Sequence, residues 1–491
     1  MAASRRIETS QAGWLDPAEV FVRLFADAEQ VFWLDSGADA ETGFSVMGRA
    51  ARTVVAELID ADVTATAAAV GRVRVIDDDG APVLRDGSVF DLLREILGGT
   101  GPWSPDGSAR TETLGDPTGG DRGYWGGWVG WLGYEAGASA VGVPVARTET
   151  PEAVLLRADD VIVFDHAVRR VMLVSSDSDW IVRTARALGE IEASPDSAVV
   201  AFLADHPAVG GDATPRWSGA EYRALVEACQ ERIRAGDAYQ LCLTNQLRVP
   251  GTHDPVATYL RLRASSPSHH GGFLRAGDTA LLSASPEQFL EIGTDRIVRT
   301  KPIKGTRPRG ATPEEDAQLA SELLASEKER AENLMIVDLM RNDLARVAEV
   351  GSVAVTGLHV VESYPHVHQL VSTVEGRLRP GVGVVDAIEA CFPAGSMTGA
   401  PKRSAMTILH GLERGPRGVY AGTFGVFWDD GATDLAMVIR SIVVGRHTAT
   451  IGTGGGITAL SVPAEELAET ETKARALLRT LGIEGDPAES R

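Results

Sequence analysis

An α+β fold is predicted, and three observations predict it. Short β-rich runs such as Val31-Phe32-Trp33-Leu34 and Val161-Ile162-Val163-Phe164 alternate with helical stretches across roughly the first 200 residues. Residues 221–235 have helical periodicity and are followed by a strand-like run over 240–249. Residues 321–347 are rich in Leu, Ala, Glu and Arg with few breakers, and read as one helix. At 491 residues the chain exceeds the size of one small core. Residues 1–205 read as an N-terminal α+β lobe and 217–485 as the region that carries chemistry. The main boundary falls near Trp217, after the linker-like composition of 206–218.

Within that frame, residues 280–285 and 289–292 suggest a hairpin. Residues 98–122, rich in Gly, Pro, Ser and Asp, read as a long surface loop. The β-like run 448–451 leads into Gly452-Thr453-Gly454-Gly455-Gly456, a glycine-rich turn whose exposed amides suit an anion. A helix then begins near Pro463 and carries Leu467, Leu477 and Leu481.

Composition excludes several classes of function. The 47 basic against 68 acidic residues give a net charge of −21, which opposes binding to nucleic acid or to an anionic membrane surface. An anionic substrate must therefore meet locally placed cations. Met1 to Gln11 is polar and basic with no apolar h-region behind it, and no uncharged run is long enough to span a bilayer, so a cytoplasmic location is expected. The three cysteines, Cys229, Cys242 and Cys391, lie far apart without CxxC spacing. They fit a reducing compartment, with no zinc site and no disulfide framework.

Two acidic pairs stand out. Glu329 and Glu332 are three apart on the helix predicted over 321–347, and Glu466 and Glu469 have the same spacing on the C-terminal helix. Facing each other, two such helices hold a hard cation such as magnesium, which takes a few carboxylates and shares its shell with water and substrate oxygens. Taken alone, Glu pairs in a chain with 68 acidic residues are more often solvated helix faces. The segment 300–310 is basic and punctuated by Gly and Pro, as a loop or strand edge near anions would be. Arg440 ends the apolar run 435–439. It reads equally as a carboxylate clamp or as a salt bridge between lobes.

Taken in order, these segments resemble the chorismate-utilising enzymes from about Trp217 to Leu481. The residues that carry the resemblance are Ser285-Pro286-Glu287, Pro302-Ile303-Lys304-Gly305-Thr306, Glu329 onward to Asp338-Leu339-Met340-Arg341-Asn342-Asp343, His368, residues 395–402, Tyr420, Arg440 and Gly454-Gly455-Gly456. The resemblance implies two antiparallel sheets packed as a sandwich, with helices around a cleft that takes chorismate and magnesium. It makes Glu332 and Glu469 direct metal ligands and Glu329 and Glu466 supporting ones. Arg440, Tyr420 and the Gly456 amide would hold the enolpyruvyl carboxylate, with Gly454, Gly455, Thr306, Gln240 and Lys473 completing the substrate site. Glu287 would be the general acid, its pKa raised by burial, and His368 and Thr398 would lie beside the ring. Leu34-Asp35-Ser36 resembles the family's tryptophan-binding segment, which points to Ser36. The chain departs from the family at Ala459-Leu460-Ser461, where relatives have Ala-Asp-Ser, and at Asn333, where a histidine is common.

Two positions choose among the family's reactions. Branches that add water carry a lysine base where this chain has Gln240, and an amide cannot accept that proton, so ammonia is the expected nucleophile. The anthranilate-forming branch has alanine where this chain has Lys304. A neutral lysine amine there can attack ring carbon 2 as the carbon-4 hydroxyl leaves, so that ammonia enters at carbon 4. The enolpyruvyl group would stay in place, and a separate lyase would release 4-aminobenzoate. None of the cysteines sits in a Gly-x-Cys-x-Gly elbow, so ammonia is expected from a separate glutamine amidotransferase subunit. The alternatives are the anthranilate-forming reaction and a non-catalytic chorismate-binding scaffold.

Overall fold

The structure, a computed structural model, describes residues 8–58, 72–77, 82–98, 126–194 and 196–484. Apart from Gly98, the loop expected over 98–122 lies outside them. The described residues form two 12-stranded sheets, antiparallel throughout. The first runs from Glu8–Ala12 through Arg170–Ser175, Val161–Asp165, Phe44–Arg49, Gln30–Asp35, His270–Ala276, Thr279–Ser285, Ser441–Val444 and Thr448–Ile457 to Gln240–Pro250. Two short strands, Thr214–Pro215 and Gly399–Ala400, pair with the last of these. The second runs from Ile303–Pro308 through Val367–Arg377, Ile297–Thr300, Gln288–Ile292, Thr433–Met437, Thr423–Trp428, Gly127–Leu132, Ala153–Ala158 and Thr53–Leu58 to Arg72–Asp77 and Val83–Asp86. Ala354–Ser363 adds to Val367–Arg377. Each sheet takes strands from both sides of the boundary drawn at 205–217.

The apolar runs are continuous because each sheet is covered on both faces. Phe32 and Val163 point inward, into a core shared between the sheets with Trp131, Leu281, Phe424 and Val438. Their neighbours Val31, Trp33, Ile162 and Phe164 point the other way, as a period of two requires. They meet the helices Pro17–Phe25, Ser178–Glu192, Pro255–Ser265 and Pro463–Thr480. The helices Val89–Gly98, Glu327–Ala345 and Val384–Cys391 cover the outer face of the second sheet, while Lys402–Glu413 packs with Gly219–Arg234 on Gln240–Pro250 of the first. The fold is therefore the expected α+β sandwich with surrounding helices. No helix among the described residues is long and apolar enough to cross a membrane. Cys229, Cys242 and Cys391 are buried and unpaired.

Three local expectations are corrected. Thr279–Ser285 and Gln288–Ile292 are not a hairpin: the first pairs with Ser441–Val444 in one sheet and the second with Thr433–Met437 in the other. The chain changes sheets at Pro286-Glu287, where proline offers no amide to a ladder. The single helix expected over 321–347 is broken at Ser326, whose extended backbone and hydroxyl, accepting from the Glu329 amide, cap the start of Glu327–Ala345. The glycine turn is no turn, since Gly452 to Gly456 continue the strand Thr448–Ile457, opposite Cys242 to Gln246.

Phe32 is fully buried between the sheets. Phe32→Ala should lower the unfolding free energy by about 3–5 kcal/mol in equilibrium denaturation, the cost of an unfilled core cavity.

Candidate active site

Two sheet-changing crossovers run side by side. One links Thr279–Ser285 to Gln288–Ile292 through Pro286 and Glu287; the other links Thr433–Met437 to Ser441–Val444 through Val438, Ile439 and Arg440. They are tied together by backbone hydrogen bonds from Met437 N to Glu287 O (3.0 Å) and from Ala284 N to Arg440 O (3.2 Å). Arg440 adopts φ 52°, in the left-handed region. That conformation costs a non-glycine residue roughly 1–2 kcal/mol and needs support from its surroundings. Beside the crossovers lies a cavity of about 420 Å³, lined by Glu287, Lys304, Tyr420, Arg440 and all four glutamates of the two acidic pairs.

Glu287 is 8% exposed. Burial pushes its carboxyl up to about 7, against the lowering influence of Lys304, the Ser396 hydroxyl and Lys473. It therefore exchanges its proton near neutrality, as a general acid should. Lys304 stands at a β-bulge: Ile303 pairs with Val371 and Thr306 with Gln369, and the register shifts between them. Gly305 takes φ 86° there, and a Cβ on it would meet Leu323 and Glu329. A bulge re-aims a side chain out of the pleat, and Lys304 and Thr306 both line the cavity. Lys304 Nζ has no hydrogen-bond or ion-pair partner among the described residues.

Glu329 and Glu332 lie in the first two turns of Glu327–Ala345, and Glu466 and Glu469 in the first two of Pro463–Thr480. Burial raises the Glu332 carboxyl, and the like charges of Glu329 and Glu466 raise it further, while Lys304 and Lys328 oppose them. Glu466 is raised by burial and by Glu469. Glu469 is lowered, because Lys473, at 2.6 Å, outweighs its desolvation, with help from Lys304 and Lys328. Among the described residues no three acidic, His or Cys side chains close into a metal cage. Magnesium does not need one, since it commonly keeps several waters and uses one or two carboxylates. Four carboxylates that penalise one another across one cavity fit such a cation.

The glycine strand works by leaving space rather than by turning. Ser441–Val444 pairs with it only as far as Ile451, and beyond that point its second edge has no strand partner among the described residues. Gly452 to Gly456 line the cavity along that stretch. A Cβ on Gly452 would fall 2.0 Å from the Tyr420 ring, and one on Gly456 2.2 Å from Gln240 Nε2. Lys473 donates to Gly454 O (2.8 Å), pinning the helix to this bare strand.

Two expected neighbours of the ring lie off the cavity wall. His368 is 2% exposed, with Nδ1 against Ser363 Oγ (2.8 Å) and Nε2 against Asp316 Oδ1 (2.9 Å). Strand alternation turns it away from the cavity and brings Gln369 to the wall instead. Thr398 is fully buried and donates to Ala394 O (3.2 Å), while Ser396 and Met397 reach the cavity. Gln240 is 1% exposed and sits behind Gly456. Ser36 donates to Phe44 O (2.9 Å) and lines a second cavity, of about 310 Å³, with Asp35, His269, His270 and Phe424. Asn333 replaces the family histidine without loss of bonding: its amide donates to Pro302 O (3.3 Å) and Leu370 O (3.4 Å) and accepts from Ser372 (2.5 Å), tying its helix to both strands around Lys304. Sequence reasoning passed over Gln369, Ser396, Lys328 and Cys242. Lys328, directly before Glu329, was within reach of it.

A buried acid raised toward neutrality, a lysine on a bulge and an arginine line one cavity together with two acidic helix ends, the arrangement of an enzyme pocket. Residues 103–479 match the family described as chorismate binding enzyme, and the chain belongs to that family. It is 42% identical over 481 residues to the aminodeoxychorismate synthase of Streptomyces pristinaespiralis, covering 95% of this chain but only 64% of that protein. It is 42% identical over 373 residues to anthranilate synthase component 1 of Streptomyces coelicolor, covering 72% of each. The crystal structure of anthranilate synthase component I from Streptococcus pneumoniae matches with a TM-score of 0.71 at 27% identity, covering 95% of this chain and 98% of that one.

Because the Glu287 pKa is raised on folding, the folded state holds that proton more tightly than the unfolded chain. The associated stability is present below about pH 4.5 and is lost as pH rises through about 7. Denaturation of wild type and Glu287→Gln across that window should show the wild type losing stability relative to the variant as pH increases. A constant difference would mean that Glu287 titrates normally.

Proposed function

We propose that the chain aminates chorismate at carbon 4 to give 4-amino-4-deoxychorismate, the reaction named in the aminodeoxychorismate synthase relative. The observation that carries this reading is Lys304, held by a bulge in the wall of the cavity that Glu287 also lines. Arg440, Tyr420 and the Gly456 amide hold the enolpyruvyl carboxylate. Glu332 and Glu469, with Glu329 and Glu466 in support, would hold magnesium, which would supply charge neutralisation for the ring carboxylate.

The Lys304 amine attacks carbon 2, the two conjugated ring double bonds shift, and the carbon-4 hydroxyl leaves as water with the Glu287 proton. Ammonia then bonds to carbon 4, both double bonds shift back, and the carbon–nitrogen bond to Lys304 breaks with return of its electron pair. The new ammonium gives a proton to Glu287 and restores the acid. Chorismate and ammonia become aminodeoxychorismate and water. A glutamine amidotransferase subunit supplies the ammonia, and a separate lyase forms 4-aminobenzoate, in the cytoplasm.

The anthranilate-forming reading has the Streptomyces coelicolor relative in its favour, and product analysis separates the two. Incubation with chorismate, magnesium and ammonium salt should consume chorismate without anthranilate, and 4-aminobenzoate should appear only once lyase is added. Fluorescent anthranilate in the lyase-free reaction would overturn the proposal. Lys304→Ala should lose amination while keeping chorismate affinity; unchanged amination would refute the nucleophile. With Glu287 as acid, kcat/KM should decline as pH rises through about 7.

For the second cavity we infer tryptophan as ligand, on the resemblance at Leu34-Asp35-Ser36. Calorimetric titration should show binding that Ser36→Phe abolishes.

A further inference from the structure

One charge in the cavity wall has no part in the chemistry above. With Glu287 protonated, Lys304, Lys328, Arg440 and Lys473 stand against the four glutamates of the acidic pairs, so the empty cavity is close to electrical balance. Lys304 attacks the ring, Arg440 holds a carboxylate, and Lys473 faces Glu469 (2.6 Å) and donates to Gly454 O (2.8 Å). Lys328 does none of these. It lines the cavity while exposed to solvent, and its Nζ has no hydrogen-bond or ion-pair partner among the described residues. It also stands in the first turn of Glu327–Ala345, where the helix dipole disfavours a cation.

What offsets that cost is the acidic wall. Burial raises the carboxyls of Glu332, Glu466 and Glu469, and the charge of Lys328 acts against it at all three, across both helix ends. A balanced cavity discriminates between ligands that arrive alone and ligands that arrive together. Magnesium alone leaves an excess of positive charge in it, and a substrate with two carboxylates alone leaves an equal excess of negative charge; bound together they restore the balance. Protein walls screen such an excess less than water does. We propose that Lys328 sets this bias: its ammonium weakens the hold of the substrate-free site on magnesium and strengthens the hold of the metal-free site on the dianionic substrate, so that the metal waits for the substrate. The inference rests on the chorismate and magnesium reading above and adds the residue that divides affinity between the two.

Methionine keeps the length and helix propensity of lysine without its charge. In calorimetric titration of chorismate-free protein, Lys328→Met should bind magnesium about fivefold more tightly than wild type, the scale of one partly exposed charge. In EDTA, its affinity for chorismate by equilibrium dialysis should fall by about the same factor. Neither titration contains both ligands, so turnover does not intervene. Lys328→Arg, which keeps the charge, should stay within about twofold of wild type in both, and Lys328→Gln should repeat the methionine result. Both shifts should shrink in 1 M salt, where charges are screened within about 3 Å. Damaged packing would weaken both ligands alike, whereas a lost charge moves them in opposite directions. Shifts of the same sign, no shift, or an arginine variant that behaves like the methionine one overturn the assignment. A wild type that binds neither chorismate nor, beside it, magnesium would instead sink the reading beneath it.

Discussion

The site depends on one pair of hydrogen bonds between two strands that change sheets together. Met437 N to Glu287 O and Ala284 N to Arg440 O lock the crossovers in register, and so fix where the acid and the arginine stand relative to each other. Neither residue belongs to a regular strand, and Arg440 has a backbone conformation that a free chain would leave. The sandwich core on one side, with Phe424 and Val438, supplies the packing that keeps it there. Residues on rigid elements hold a reactive geometry better than residues on loops, and a crossover anchored in two sheets is as constrained as either.

Charge balance is the second constraint. The chain is strongly acidic, yet its cavity gathers Lys304, Lys328, Lys473 and Arg440 among five glutamates. The lysines lower the carboxyls that burial and mutual repulsion raise. Local arrangement, and not net charge, sets the charge balance inside the cavity.

What was legible in the sequence was whatever lies along one dimension. The Glu pairs at three-residue spacing, Lys304 in its short motif and Arg440 after its apolar run needed no knowledge of partners. What escaped it was relational. Whether His368 or Gln369 faces the cavity depends on the phase of Val367–Arg377 against a partner strand containing a bulge. Whether 280–292 is a hairpin depends on which sheet each half joins. The glycines read as a turn because their purpose, clearing room for Tyr420 and Gln240, lies in residues distant in sequence. Ser326 was hidden by strong helix formers on either side, although its capping hydroxyl is a local signal.

The interleaving of the two sheets has a consequence for how the molecule is made. Gln30–Asp35 completes its pairing only with His270–Ala276, and Gly127–Leu132 only with Thr423–Trp428. During synthesis the early strands wait with open edges for partners the ribosome has not yet delivered, the condition in which β-chains stick to one another. Assembly is therefore a late, whole-chain event dominated by long loop closures, and its vulnerable phase is translation itself.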